Sequence, residues 1–330
     1  MRALVVHEFG GIDQVSLGEM PKPVTKPGEV LLEVRAVSVN FVDLVMISGV
    51  YQFKPARPFI PGKLPVGVVA AVGEGVTKFK PGDRALAQAE YSGFAEFVAM
   101  PENQCVPLPA AISFAEAAGM AIVYDTAWFA LTDRGRIKPG DNVLILGATG
   151  GVGLAAIQLA KAFGAKVLAA VSNPDKAGIV LEAGADAVID LSVPNLRDGL
   201  RDQVYAATDK KGADIVLDML GGDIFDAAVR ALAWCGRLVI IGFASGRIPS
   251  LKMNYLLVKN IEVSGMQVSD YRKRRPADMQ ACFAEIYAWR AAGKLKPLPT
   301  KTYRFEDFAA AMKEIRDRTQ RGRVVLTLEK

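Results

Sequence analysis

One histidine, His7, and three scattered cysteines, Cys105, Cys235 and Cys282, are all the soft ligands in 330 residues. A zinc dehydrogenase needs a set of Cys, His and carboxylate ligands, and a Ser-His-Asp triad needs a histidine base beside its nucleophile. His7 stands on an apolar opening run, there is no CxxC pair, and no nucleophile elbow is present. Neither chemistry is expected. The cysteines read as reduced, mostly packed thiols of a reducing compartment. No apolar run approaches the roughly 18–20 residues of a membrane span. The run from Met1 to His7 is too short for a signal peptide and no small-residue cleavage site follows, so it reads as the first strand of a cytoplasmic protein. Charge of one sign is in short supply too. Lys and Arg number 40 against 35 Asp and Glu, a net charge of +5. That balance suits anionic small molecules and is poor evidence for nucleic acid.

What the chain does have is glycine at informative places. From Asp141 the apolar run Val143–Leu146 leads into Gly147, Gly150 and Gly153, three residues apart, and then into the amphipathic stretch ending near Ala160. The layout is strand, tight turn, helix. The first glycine allows the turn a positive φ, the second lets backbone approach a pyrophosphate, and the third lets helix pack on strand. The helix N-terminus would then offer free N–H groups and partial positive charge to the phosphates.

Upstream, the first third of the chain is rich in Val, Gly and Pro. Short strand-like runs at Glu29–Val37, Gly67–Val72, Arg84–Ala87 and Ala95–Ala99 are separated by turns such as Lys80–Asp83, which describes a compact, mostly antiparallel β domain. Phe114–Leu131 reads as helix. Strands then alternate with helices: Asn142–Leu146, Lys166–Val171, Ala187–Asp190, Ala213–Asp218, Arg237–Ile241 and Ile261–Met266, with helices at Val152–Phe163, Asp175–Ala183, Leu196–Thr208, Asp223–Ala233 and Met253–Lys259. Six strands with helical crossovers make a doubly wound parallel sheet, so the fold class is α/β. The tail, Pro276–Ala292, Phe305–Gln320 and the strand Arg323–Thr327, reads as completing the first domain. The expected division is 1–122, 123–265 and 266–330.

In such a dinucleotide unit the residue ending the second strand selects between NAD and NADP, because an acid there bonds the ribose 2′-hydroxyl and repels a 2′-phosphate. Here Val171 is followed by Ser172, and Lys176 lies at the start of the next helix. A neutral hydroxyl and a lysine suit NADPH; the plainer reading of Lys176 is an ordinary exposed helix lysine. At Asn40 and Tyr51, two polar groups close a strand region and could face a cleft. Asn40 can donate and accept, and Tyr51 can donate to an oxygen. Their plainer readings are a turn former and loop packing.

A set of motifs in order then resembles a family: Val39-Asn40-Phe41-Val42-Asp43, Lys80-Pro-Gly-Asp-Arg84, Tyr124-Asp-Thr126-Ala-Trp, Gly147-Ala-Thr-Gly-Gly-Val-Gly153, Gly164-Ala165, Gly184-Ala-Asp186, Gly221-Gly-Asp-Ile-Phe225 and Gly242-Phe-Ala-Ser-Gly246. Over essentially its whole length the chain resembles the zinc-free quinone oxidoreductases, the zeta-crystallin-like branch of the medium-chain dehydrogenase/reductase superfamily. Asn40 stands where zinc-bearing relatives carry a metal-binding cysteine, and Gly62-Lys63-Leu64 where they carry Gly-His-Glu.

The resemblance implies a GroES-like β domain clasping a Rossmann domain, with NADPH in the cleft. It implies that Asn40, Tyr51 and Thr126 surround the nicotinamide and the substrate carbonyl, and these are the candidate catalytic residues. Gly147 and the run Gly150, Gly151, Val152 and Gly153 would hold the pyrophosphate. Ser172 and Lys176 would take the 2′-phosphate, Gly242, Phe243 and Ala244 would flank the nicotinamide ribose, and Arg323 would lie near the cofactor. Two departures stand out. Leu191 follows Ile189-Asp190 where relatives carry a tyrosine that touches the 2′-phosphate, and Gly62-Lys63-Leu64-Pro65 lacks the acid common in relatives.

The function expected is NADPH-dependent reduction of quinones or other conjugated enones, with no metal. A trans-2-enoyl-thioester reductase is the runner-up, and a non-catalytic NADPH sensor or RNA-binding protein is a third reading. The basic run Arg272–Arg275 reads as a solvated loop before a helix. Pairing of a late sheet strand with its twin in a homodimer is the expected assembly.

Overall fold

The computed structural model describes residues 1–328. From the amino end, β1 (Arg2–Val6) and β2 (Val15–Glu19) form an antiparallel pair. They are followed by β3 (Glu29–Val39), α1 (Phe41–Ile47), β4 (Val66–Val72), β5 (Arg84–Ala87), β6 (Phe97–Pro101), β7 (Cys105–Pro107) and α2 (Phe114–Phe129). Strict alternation begins with β8 (Asn142–Leu146), α3 (Gly151–Ala162), β9 (Lys166–Val171), α4 (Ala177–Glu182) and β10 (Ala187–Asp190). It continues through α5 (Leu196–Ala207), β11 (Ala213–Asp218), α6 (Gly222–Ala231), β12 (Leu232–Ile240), α7 (Asn254–Lys259) and β13 (Glu262–Gly265). The chain then runs through α8 (Val268–Arg274), α9 (Pro276–Ala291), β14 (Thr300–Arg304), α10 (Phe308–Arg316) and β15 (Arg323–Thr327).

The chain divides into two compact units, with the break inside α2 between Ile122 and Val123. The first unit holds Met1–Ile122, Ser269–Tyr287 and the stretch from Pro297 on. Its main sheet runs β14-β15-β3-β4-β5-β7, with β6 also pairing to β3. All these pairs are antiparallel except β14 with β15. β3 has three strand neighbours, which is why it is buried along nearly its whole length. Val30, Leu32 and Val34 of β3 join Phe59, Phe94, Phe305 and Ile315 in one apolar core.

The second unit holds Val123–Val268 and Ala288–Lys296. Its six strands are all parallel, in the order β10-β9-β8-β11-β12-β13. Counted from its own first strand, that is 3-2-1-4-5-6, the order of a doubly wound dinucleotide sheet. Continuous apolar strands such as Val143–Leu146 are buried because helices cover both faces of a parallel sheet.

Four local expectations need correction. α1 was not anticipated; it starts because Asp43 at its third position accepts the Asn40 backbone N–H at 2.8 Å, half of a capping box. Arg272–Arg275 is not a solvated loop, since Arg272 lies on α8 and is 1% exposed. The stretch Ala288–Lys296 joins the second unit, held by Trp289 against Trp128 (5.4 Å) and Phe163 (5.0 Å) and by the Lys296 N–H on Gln158 (2.8 Å). Finally, α6 stops at Ala231 and β12 begins at Leu232, ahead of the expected start at Arg237. A register shift and Cys235 at φ +59° break the alternation that would have revealed the strand.

Candidate functional site

In the second unit, the turn after β8 is built as the glycines require. Gly147 has φ +78°. A Cβ on Gly153 would lie 2.4 Å from the Gly147 carbonyl oxygen, so α3 can pack on the turn only with glycine there. A Cβ on Gly150 would meet nothing nearer than that same oxygen at 3.4 Å, so the other side of Gly150 is open. Gly150 is the N-cap of α3 and no side chain caps the helix. The N–H groups of Gly151, Val152 and Gly153 are the first-turn donors that a helix leaves without an intrahelical partner. Open backbone, free donors and the dipole's positive end fit a pyrophosphate.

Beyond β9, Ser172 is exposed and Lys176 is half-buried in a short 3-10 turn, Pro174–Lys176, that precedes α4. Asn173 fixes the turn by accepting the Asp175 N–H at 2.9 Å. No acid among the described residues pairs with the Lys176 ammonium. Leu191, by contrast, is buried in the core and brings no polar group. Across the sheet, the buried Asp218 carboxylate accepts the N–H groups of Leu220 (2.8 Å) and Gly221 (2.9 Å), shaping the bend after β11; burial raises its pKa. Gly242 and Ala244 are tied by their N–H groups to the carbonyls of Asp218 and Met219, and Phe243 between them is 39% exposed. Thr126, on α2, is buried and its hydroxyl donates to Asp125 at 3.4 Å.

In the first unit, Asn40, Asp43 and Arg323 form a buried polar group. The Asn40 amide nitrogen donates to the Ser38 carbonyl (3.1 Å), the Ser38 hydroxyl (3.1 Å) and Asp43 Oδ2 (3.2 Å). Its oxygen accepts Arg323 Nη2 at 2.6 Å, and Arg323 Nε donates to the Gly119 carbonyl at 2.8 Å. Asn40 is therefore committed at both ends. Asp43 is fully buried, one of its oxygens has no partner, and burial pushes its carboxyl up to about 6.

Tyr51 differs from Asn40. It is half-buried, it packs against the core, and its hydroxyl has no hydrogen-bond partner among the described residues. The Lys63 ammonium lies 5.5 Å from its ring centroid. Lys63 is 1% exposed and donates to the Glu90 carboxylate (2.6 Å) and the Glu90 carbonyl (2.8 Å). Arg272 and Ser269 also bond that carboxylate, at 2.8 and 2.6 Å. Burial pushes the Glu90 carboxyl up, but Arg272 and Lys63 outweigh it and hold it down at about 2. Sequence reasoning missed this cluster. A lone lysine inside the apolar run Pro58–Val69 was the signal that could have found it, since a charge there must be buried with a partner.

No group of three or more His, Cys, Asp or Glu side chains among the described residues could hold a metal ion. His7 is exposed, and burial pushes the Cys105 thiol up to about 12, which makes it a poor nucleophile. No helix among the described residues is long and apolar enough to cross a membrane.

A GroES-like β unit with a six-stranded parallel Rossmann sheet is the fold of the medium-chain dehydrogenase/reductases. Two family models agree: "Alcohol dehydrogenase GroES-like domain" matches residues 26–110 and "Zinc-binding dehydrogenase" matches residues 151–285. A "Quinone oxidoreductase-like protein 2 homolog" of Nematostella vectensis is 36% identical over 301 residues, covering 90% of this chain and 81% of that one. A mouse "Quinone oxidoreductase" is 33% identical over 318 residues, covering 96% and 94%. Among solved structures, a quinone oxidoreductase of Pseudomonas syringae superposes with a TM-score of 0.91 at 30% identity, covering 99% of each chain. A mycobacterial protein solved in complex with NADPH superposes with a TM-score of 0.91 at 29% identity, covering 99% of this chain and 100% of that one. The chain belongs to the quinone oxidoreductase family of the medium-chain dehydrogenase/reductase superfamily.

Proposed function

We propose that this protein is a cytoplasmic, homodimeric reductase that uses NADPH to reduce quinones or other conjugated enones without a metal. The observation that carries the reading is the Tyr51 hydroxyl, a half-buried donor with no acceptor among the described residues. NADPH, when bound, supplies the hydride. Hydride addition to a conjugated carbonyl leaves negative charge on oxygen, and a donor already in place stabilises it. Tyr51 takes that role, and solvent supplies the final proton. Asn40, spent on Ser38, Asp43 and Arg323, acts as a fixed support rather than as a second free donor. In the second unit the Gly150–Gly153 turn takes the pyrophosphate. Ser172 and Lys176 take the 2′-phosphate, since neither repels it and no acid among the described residues neutralises Lys176.

The test is turnover of a para-quinone, a simple enone and crotonyl-CoA, each with NADPH and NADH. The reading expects quinone or enone reduction with NADPH favoured and crotonyl-CoA slow. Efficient crotonyl-CoA reduction would move the assignment to the enoyl-thioester reductases. Tight NADPH binding with no turnover of any of the three would leave a cofactor-binding sensor.

A further inference from the structure

We propose that the substrate of this site is a planar conjugated carbonyl compound that carries a carboxylate, held by Lys273 beside the rings of Phe53 and Tyr91. The inference rests on the reductase reading and adds a charge to its substrate. Phe53 and Tyr91 stack 5.8 Å apart with their planes 38° from parallel, and each remains about two-fifths exposed, at 42% and 41%. Two half-bare rings tilted against each other offer apolar faces, either of which can take a conjugated ring system.

The charges around that surface are positive. Lys273 is exposed and its ammonium lies 5.6 Å from the Phe53 ring centroid. No acid among the described residues pairs with it, whereas its neighbours Arg274 and Arg275 are matched to Asp270 and Asp278. On the other side Tyr91 follows Glu90, the one carboxylate in ion-pair contact with Lys63 among the described residues, and Glu90 is shared with Arg272 and Ser269. Lys63 links the patch to Tyr51 through the 5.5 Å ring contact. Two part-exposed rings beside one exposed lysine that lacks an acid make a recognition surface for an aromatic anion. A cation over an aromatic face keeps its charge available to a second partner while the ring lowers the cost of stripping its water.

The experiment uses one matched pair, a benzoquinone bearing an acetic acid side chain and its methyl ester. Turnover with NADPH and calorimetric binding to the NADPH complex are measured for both. A single well-placed charge contact corresponds to about tenfold. The acid should therefore exceed its ester about tenfold in kcat/KM, mostly through KM, and added salt should shrink the ratio. Lys273→Met should narrow the ratio by a similar factor and Lys273→Arg should restore it. Lys80→Met, at the turn between β4 and β5, should leave it unchanged. Lys273 is exposed, so its variants test the proposal without disturbing the buried cluster. Equal binding and turnover of acid and ester overturn the proposal, as does a ratio indifferent to Lys273→Met. Should neither compound be reduced, the reductase reading falls, and the calorimetric ratio still decides whether the site selects an anion.

Discussion

The Arg323 guanidinium donates to the Asn40 side-chain oxygen at 2.6 Å, joining β15 to the start of α1 across 283 positions of sequence. The Asn40 amide nitrogen is already used by Ser38 and Asp43, and its oxygen has only the longer 3.4 Å contact from the Ser38 hydroxyl besides this bond. Arg323→Met should therefore leave two buried acceptors, the Asn40 oxygen and the Gly119 carbonyl, without these donors. A buried group losing its partner costs about 1–3 kcal/mol, so the melting temperature should fall by several degrees in calorimetry. A loss below about 0.5 kcal/mol, the range of ordinary surface substitutions, would show that the pair is not structural.

Tyr51→Phe removes a hydroxyl that no protein group needs, so the fold should keep its stability. Catalysis should not. Loss of one oxyanion donor in a closed site costs about 3–4 kcal/mol, and a half-exposed donor should cost less, so kcat on an enone should fall about ten- to hundredfold with little change in KM. Quinones, whose reduced oxygens gain aromatic stabilisation, should suffer less than enones. Wild-type kcat on an enone would make Tyr51 a packing residue.

Lys176→Ala should weaken NADPH and spare NADH. The side chain has no acid partner to release, so its removal reads out on the 2′-phosphate alone. A charged hydrogen bond of this kind is worth about 1–3 kcal/mol, a difference that fluorescence titration of the two cofactors resolves. Equal weakening of both would take Lys176 out of the 2′-phosphate site.

Asp43 sets a pH dependence of stability whose sign is unusual for a carboxylate. Its folded pKa, about 6, lies above its ordinary value of 3.8, so the folded state holds the proton more tightly than the unfolded one. Stability should fall as pH rises from about 4 to 6 and level off above, by on the order of 2–3 kcal/mol at most. Glu90 works the other way: its stabilisation is present above 4.5 and is lost as pH falls towards its folded pKa of about 2. Urea denaturation of Asp43→Asn at pH 4.5 and 7 should show the fall between them reduced relative to wild type. An unchanged difference would place the titration elsewhere.

The second unit was the more legible part of the chain. Its helices and strands alternate, each buried strand is an apolar run, and the glycine spacing places the turn between β8 and α3 directly. The first unit hid more. Asn40 reads as a turn former or a site donor, and nothing local reveals that Arg323 will occupy its oxygen. The basic run at Arg272 was read as solvated because its partner, Glu90, lies 182 positions away. Lys63 sits alone inside an apolar run, and nothing local reveals the Glu90 carboxylate that it meets. Long-range polar pairing carries no periodicity and so leaves no mark in a linear pattern.

The placement of β15 between β14 and β3 has a consequence for how the chain is made. As the polypeptide leaves the ribosome, residues of the first unit emerge first, yet β3 must wait for Val324–Thr327 to cover one of its edges, and Glu90 must wait for Ser269 and Arg272. The second unit, drawn almost wholly from Val123–Val268, can close before then. The nascent chain therefore matures from the middle outwards, with the Ala36–Val39 edge of β3 exposed to intermolecular pairing until Val324–Thr327 emerge. A chain stalled with Val268 just clear of the ribosomal exit tunnel should resist protease across β8 to β13 and be cut within β3 to β7.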